Sequence, residues 1–418
     1  MIMPPVTCRA VVLSLVLWQA QTADWPQWGG RDARNFVAEE TGLPNSFRPD
    51  RKDVANGVAT LVPGENLLWS APLGTQAYVT PAVSQGRVFI GANDALVKTP
   101  RFSRTKGSVF DCLDEATGRR LWRLVIPRLK TRNKLFNFDD LDLGLCSSPT
   151  VEGNRVYVMG SRGDVLCLDI NGQADGNEGP FTGEGQYMSD TRTFPDKPGR
   201  FGIADAPPLP APVALQSGDA DIVWRFDCNP PQNTFKDGRK LPYNKNGQGP
   251  SEIIATPVVA NGRIYVAVGQ DSRHGPGKGC LSCIDPAGEG DITEKGKVWQ
   301  CADVDRSFSS AAVTRDGLVF IADYTGILRC LDGDTGKEYW SHDLKGRVFC
   351  SPLCADGKVY IGTEAGRLTV AAAAREKSIL DEVRFNSPIY ATPVAANGTL
   401  YIASQRRLYA FRHVQREK

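Results

Sequence analysis

One phrase occurs six times in this chain, and a repeat that cannot bury its own apolar face has to stack on its neighbours. It runs Ser/Thr, Pro, small, Val, two residues, Gly, basic, Val/Ile, aromatic, Ile/Val. The copies span Thr80 to Ile90, Ser148 to Val158, Thr256 to Val266, Ser310 to Ile321, Ser351 to Ile361 and Thr392 to Ile402. Four copies continue through Gly-x-Leu/Val-x-Cys-Leu/Ile-Asp, and four reach a Trp by way of a Thr-Gly-Lys/Arg turn or a shorter variant.

The fourth copy shows what one unit is. Short runs rich in β-branched and aromatic residues, Leu318 to Ala322 and Ile327 to Asp332 among them, alternate with the turns Thr314-Arg315-Asp316-Gly317, Asp323-Tyr324-Thr325-Gly326 and Asp334-Thr335-Gly336-Lys337. Strands at about ten-residue spacing with such turns predict a four-stranded antiparallel meander. The slots at Ala311, Pro352 and Pro393 are 41 residues apart, which is the period of a β-propeller blade. The sixth copy ends at Leu408-Tyr409-Ala410-Phe411 without its Trp strand, and Asn66-Leu67-Leu68-Trp69-Ser70 stands ready at the other end to supply it. The fold expected is therefore all-β: a β-propeller of six blades closed by an N-terminal strand joining the last blade. A seventh or eighth blade stays open as a count inside the long interval before Thr256, where Leu209-Pro210-Ala211-Pro212-Val213 is the only hint.

With 418 residues, 41% of them hydrophobic, the chain can bury one large core. A net charge of +2 with both signs intermixed gives no footprint for nucleic acid, and the basic run Arg128 to Lys134 is followed at once by Asp139, Asp140 and Asp142. Ala10 to Trp18 is an apolar run too short to span a bilayer but suited to a signal-peptide core. Residues 1–23 are read as a signal peptide cleaved near Ala20 or Ala23, 24–63 as an N-terminal extension, 64–412 as the propeller with a long insertion at 170–221, and 413–418 as a tail. An exported, periplasmic or extracellular monomer without a transmembrane segment follows. Cys112, Cys167, Cys283 and Cys330 share one slot of the repeat and are expected to be small buried hydrophobes. Cys228, Cys301, Cys350 and Cys354 remain candidates for disulfides.

The phrase resembles the pyrroloquinoline-quinone-like propeller repeat, whose consensus joins Thr-Pro-x-Val, Gly-x-Val-Tyr-Val, Gly-x-Leu-x-Ala-Leu-Asp and Thr-Gly-Lys-x-x-Trp. Asp332 to Trp340 and Asp114 to Trp122 are near-complete matches, and the opening Asp24-Trp25-Pro26-Gln27-Trp28-Gly29-Gly30 looks like the start of exported planctomycete-type members. The resemblance implies one of two roles: a quinoprotein dehydrogenase with bound quinone and calcium, or a non-enzymatic scaffold like that of the outer-membrane assembly machinery. Alcohol-oxidising members clamp the quinone between a Trp and a disulfide of adjacent cysteines, and this chain has no Cys-Cys pair. Trp69, Trp122, Trp224, Trp299 and Trp340 each stand where a fourth strand closes a blade. The expectation is a binding or protein-interaction scaffold without catalytic residues and without the quinone, with an atypical quinone-dependent alcohol or sugar dehydrogenase as the alternative.

Candidate sites then lie where the phrase breaks. Asp169, Asn171, Asp175 and Asn177 put oxygen ligands at alternate positions, as a calcium loop does, although Pro180 falls where an EF-hand needs Glu. Three residues before the repeat proline stand Tyr78, Cys146, Ile254, Phe308, Phe349 and Tyr390, and two residues earlier Gln76, Gly144, Glu252, Arg306, Arg347 and Pro388. Tyr78, Phe308, Phe349 and Tyr390 predict an aromatic collar. Arg306 and Arg347, on adjacent blades, suit one carboxylate or phosphate. Gln76, these arginines and the collar thus form a candidate site for a protein partner or a small anionic or carbohydrate ligand. Insertions at Ala92 to Lys106, Arg123 to Leu145, Ile170 to Asp221 and Gln270 to Lys278 crowd the first three copies, and the first, second and fourth are expected on one face.

Overall fold

A computed structural model describes residues 23–55, 58–98, 104–127, 141–161, 165–172, 222–242 and 249–413. The hint at 209–213 lies outside them. The described residues are all-β apart from single helical turns such as Pro231–Thr234. Each copy of the phrase gives an antiparallel sheet whose strands lie in chain order. The first sheet is Ala82–Ser84, Arg87–Asn93, Ser108–Asp114 and Arg120–Ile126; the third is Val258–Ala260, Arg263–Val268, Cys280–Ile284 and Lys297–Cys301. The fourth is Ala312–Val313, Leu318–Ala322, Ile327–Asp332 and Glu338–Asp343, and the fifth is Leu353–Ala355, Lys358–Gly362, Arg367–Ala372 and Ile379–Arg384. In the sixth, Val394–Ala396, Thr399–Ala403 and Arg407–Phe411 take their fourth strand from Leu67–Pro72, with Ala410 opposite Trp69.

The second sheet departs from the expectation. Among the described residues it has three strands, Thr150–Glu152, Arg155–Met159 and Val165–Asp169. Trp224 does not close it: Trp224–Arg225 pairs parallel to Gly290–Asp291, the excursion between the third and fourth strands of the third sheet. That pairing became available because the third copy carries extra residues between those strands, where the first, fourth and fifth copies turn tightly.

The repeat slots acquire physical roles. Cys112, Cys283, Cys330 and Ala410 lie directly across the strand pair from Trp122, Trp299, Trp340 and Trp69. A small side chain is needed there to leave room for the indole on the same face. Immediately after this slot the register shifts in five sheets, between Cys112/Leu113, Cys283/Ile284, Cys330/Leu331, Val370/Ala371 and Ala410/Phe411. Such bulges bend and twist the strand locally. Cys112, Cys283 and Cys330 are buried as expected, but Cys167 is exposed because its strand has no fourth neighbour among the described residues to cover it. All ten described cysteines are free thiols, Cys228, Cys301, Cys350 and Cys354 included.

Each indole reaches into the next sheet. The Nε1 of Trp69 donates to Glu115 O, that of Trp122 to Ile170 O, that of Trp299 to Gly333 O and that of Trp340 to Ala374 O, at 2.8–3.0 Å. The turn glycines Gly118, Gly172 and Gly336 have φ of +68°, +63° and +71°, and a Cβ on any of them would sit 2.5–2.8 Å from the incoming indole. The Thr-Gly-Lys turn thus needs Gly twice over, for its conformation and for the neighbour's ring. Its leading Asp is equally committed: the Tyr339 hydroxyl and Thr335 hold the Asp332 carboxyl down at about 2.

The Ser/Thr that opens the phrase links inner strands. Ser310 N donates to Ser351 Oγ, Ser351 N to Thr392 Oγ1, and Thr392 N to Thr80 Oγ1, at 2.9–3.1 Å. The line runs from the fourth sheet through the fifth and sixth to the first. Among the described residues it has no rung through Ser148 or Thr256.

Residues 24–40 form a strap along the inner strands, a role their sequence did not suggest. Trp25 exchanges two backbone hydrogen bonds with Val83 at 2.8 Å, Pro26 O accepts from Val151 N, and Ala33 O accepts from Val259 N. The Asn35 side chain then accepts from Val313 N and donates to Val313 O, while Phe36 O accepts from Cys354 N. Val37–Ala38 adds a parallel strand to the fifth sheet, and Glu40 accepts from Asn397 N and Gly398 N of the sixth. The strap therefore touches all six sheets in chain order, usually two residues past the repeat proline. Its tight packing demands Gly30, where a Cβ would lie 2.9 Å from the Trp25 ring.

Candidate functional site

The strap occupies one end of the inner strands; the collar positions stand about 16 Å away, five residues upstream at roughly 3.3 Å each. There the four aromatics form a continuous arc in sheet order. Phe308 stacks on Phe349 with centroids 5.5 Å apart, Phe349 meets Tyr390 edge-on at 5.0 Å, and Tyr390 lies 5.2 Å from Tyr78. All four are half-buried. Cys146 and Ile254, the corresponding residues of the second and third sheets, are exposed and leave the arc open on that side.

Tyr324 completes the arc and was not legible as a collar residue. It meets Phe308 at 5.5 Å and Phe349 at 5.6 Å, both edge-on. It comes from the second turn of its sheet, whose backbone folds back onto the residue five before the repeat proline. Tyr324 N donates to Arg306 O, Glu364 N to Arg347 O, and Gln405 N to Pro388 O. Aligning that turn across the copies would have shown Tyr324, Glu364 and Gln405 as a second ring of rim residues.

The polar part of the rim differs from the sequence expectation. Arg306 and Arg347 do not form a shared cradle. Arg306 is 1% exposed and turns inward, its Nη1 against the carbonyls of His274 and Gly275 and its guanidinium packed on Gly277, because the Gln270 to Lys278 insertion folds over it. Arg347 stays exposed, 5.5 Å over the Tyr324 ring and 3.6 Å from Glu364. On the far side Tyr78 donates to Gln76 Oε1 at 2.7 Å and accepts from Gln405, while Gln76 Nε2 reaches Leu141 O. Burial raises the Tyr78 and Tyr390 hydroxyls above their ordinary value, so both remain neutral donors.

The described parts of the first, second and fourth insertions border this rim. Asn93 donates to Asp142 O at 3.0 Å and Arg104 pairs with Asp142, tying the first two together beside Gln76. The Asp169 loop offers less. Asp169 is paired with Arg155 at 2.9 Å and Asn171 Oδ1 accepts from Arg87, so the oxygens expected to bind calcium already face guanidinium groups. Asp175 and Asn177 lie outside the described residues. At the strap end, a cavity of about 290 Å³ lies among Trp25, Asn35, Glu39 and Arg315. That is at the lower limit for a ligand pocket, and the collar is the stronger candidate.

Residues 16–177 and 277–379 match the family described as outer membrane protein assembly factor BamB. No curated protein matches the chain. Among solved structures, BamB from Moraxella catarrhalis is 12% identical over 87% of this chain and 75% of its own, with a TM-score of 0.32. The quinohemoprotein alcohol dehydrogenase of Comamonas testosteroni is 13% identical over 95% and 82%, with a TM-score of 0.46. A europium-containing methanol dehydrogenase is 11% identical over 94% and 98%, with a TM-score of 0.40. No helix among the described residues is long and apolar enough to cross a membrane.

Proposed function

Since the chain belongs to the PQQ-like repeat family described as outer membrane protein assembly factor BamB, we propose that it is an exported, non-catalytic six-bladed propeller that binds a partner protein through its aromatic mouth. The reading of a closed ring rests on the pairing of Leu67–Pro72 with Arg407–Phe411 and on the bond from Thr392 to Thr80, which join the last sheet to the first. One end of the ring's centre is then taken by the strap, and the other presents the arc.

The observation that carries the binding role is that arc: five aromatic rings in contact, four of them half-exposed, with an exposed guanidinium at the edge. Aromatic residues with Arg are what a protein-binding surface concentrates. The occupant is an extended segment that places an apolar side chain against Phe349 and Tyr390 and a carboxylate near Arg347.

The residues fit a quinone poorly. The indoles that could cover a planar cofactor are committed to neighbouring turns, and no adjacent cysteines are present. Among the described residues no three His, Cys, Asp or Glu gather to hold a metal ion.

Selection from a displayed peptide library tests the reading. It should enrich sequences pairing an aromatic or aliphatic residue with an acid, and Phe349→Ala should weaken the selected peptide at least tenfold. Equal binding by Phe349→Ala would remove the collar from the account. A dye-linked alcohol or sugar oxidation after loading with the quinone and Ca²⁺ would favour the dehydrogenase alternative, and a glycan-array hit without peptide binding would favour a lectin.

A further inference from the structure

The strap ends in a buried carboxylate that holds the chain's own backbone at an informative place. Glu40 is 3% exposed, and its Oε1 accepts from Ala23 N at 2.9 Å and from Asn397 N at 3.1 Å, while Oε2 accepts from Gly398 N at 2.7 Å. All three donors are main-chain nitrogens. Among the described residues no Lys, Arg or His side chain forms an ion pair with Glu40. Neutral amides satisfy its lone pairs but not its charge, and a buried charge without a counter-charge is costly.

The surroundings add negative charge. Asn397 Nδ2 donates to Asp24 Oδ1 at 3.0 Å and to Glu115 Oε1 at 3.1 Å, so two more carboxylates bond to the residue whose main-chain nitrogen Glu40 holds. The Tyr401 hydroxyl donates to Glu115; on the cationic side, Arg412 is bonded to the Asn397 carbonyl, and Arg31 and Arg315 line the same cavity as Ala23 and Glu40, with Arg315 paired to Glu39. Reading residues 1–23 as the leader would remove Ala23, but Ala20 and Thr22 are small residues at the third and first positions before it, the spacing that export-linked endopeptidases cut.

We infer that Thr22–Ala23 is the processing site of this chain, and that the α-ammonium group left on Ala23 is captured by Glu40 as its missing counter-charge, locking the strap to the sixth sheet. The inference rests on the reading of the chain as exported. In the cleavage, water adds across the Thr22–Ala23 amide; Thr22 leaves with the new carboxylate, and Ala23 keeps the nitrogen, which takes up a proton to become the ammonium. Before cleavage the same nitrogen donates one neutral hydrogen bond. Afterwards it is a charged partner, so removal of the leader tightens a strap that touches every sheet. Capture of an amino terminus by oriented acceptors is a known mode of recognition.

The sign of the pH dependence is fixed. An α-amino group titrates at about 7.7–8.0 when unperturbed, and direct contact with Glu40, with Asp24 and Glu115 behind it, raises that value in the folded state against partial burial and the more distant guanidinium groups of Arg31, Arg315 and Arg412. Its contribution is therefore complete below about pH 7.7 and is lost as pH rises through the raised value.

Two measurements test the inference. The intact mass of the full chain after export should give Ala23 as the first residue. The Ala23-initiated protein is then compared at pH 6.5 with one carrying a single extra Gly before Ala23, each with and without Glu40→Gln. The extra residue should lower the denaturation midpoint where Glu40 is intact and leave it unchanged in the Glu40→Gln background, and the difference should shrink as pH rises past the α-amino range. Equal midpoints for the two proteins that retain Glu40 would overturn the capture, and a first residue of Gln21 or Asp24 would overturn the processing site. Recovery of the chain with residues 1–22 attached contradicts export and this inference together, whereas an Ala23 start with equal midpoints contradicts the inference alone. The Gly-extended protein keeps every side chain, so the test stands even if Glu40→Gln fails to fold.

Discussion

The run of sheets four, five, six and one differs from the pair two and three in how each sheet is held to the next. In the first group the copies keep near-even spacing, the Ser/Thr hydroxyls form a line from Ser310 to Thr80, and the collar aromatics touch one another. In the second, the sheet at 150–169 shows three strands, Val259 is half-exposed where its counterparts Val83 and Val313 are buried, and Tyr157, Met159 and Val165 face outward. Both groups carry the same phrase, so a matching motif does not guarantee a matching interface. What distinguishes them is whether consecutive copies follow closely enough for the same slots to meet, and the strap is the element that both groups share.

Substitutions in the two groups of sheets should differ in cost. The largest contrast should come from the indoles. Trp340→Ala removes a nearly buried ring and its bond to Ala374 O and should cost roughly 3–5 kcal/mol. Trp122→Ala removes a half-buried ring facing the three-stranded sheet and should cost about half as much, both read from urea denaturation at constant slope. Equal losses would show that the second interface is as firm as the others. Next in size is the strap: Asn35→Ala leaves the buried Val313 N and O without their partner and should cost about 1–3 kcal/mol. Faster exchange of the Val313 amide should accompany it, whereas a loss without faster exchange would mean the strap acts elsewhere. The smallest contrast is in the hydroxyl line, where Ser351→Ala should cost about 1 kcal/mol and Ser148→Ala close to none. A measurable cost at Ser148 would extend the line into the loose pair.

Much of this was legible because a repeat reports its own constraints. The Trp slots, the small residue before each Asp and the borrowed strand at Leu67–Pro72 follow from comparing copies, since equivalent residues meet equivalent surroundings. The collar was legible for the same reason: Tyr78, Phe308, Phe349 and Tyr390 share one position, and neighbouring positions become neighbours in space. Trp224 was misread because a Trp in a matching slot says nothing about which strand lies beside it, and the excursion at Gly290–Asp291 competed for it. Arg306 was misread because the third copy's insertion covers it, whereas the equivalent turn of the fourth copy, Asp323 to Gly326, is too short to cover Arg347. The strap was hidden for a different reason. Residues 24–40 bond mainly through backbone groups, to partners tens to hundreds of positions away, and backbone hydrogen bonding leaves almost no trace in side-chain pattern.

The proposal turns on the aromatic arc being the binding mouth while the strap is structural. Hydrogen exchange of the full chain with and without a library-selected peptide tests it most directly. Added protection is expected at Arg306–Ser310, Tyr324, Arg347–Ser351 and Tyr390, with the amides of Val83, Val151, Val259 and Cys354 unchanged beneath the strap. Protection confined to those strap-held amides, or no change at the collar under saturating peptide, would contradict it.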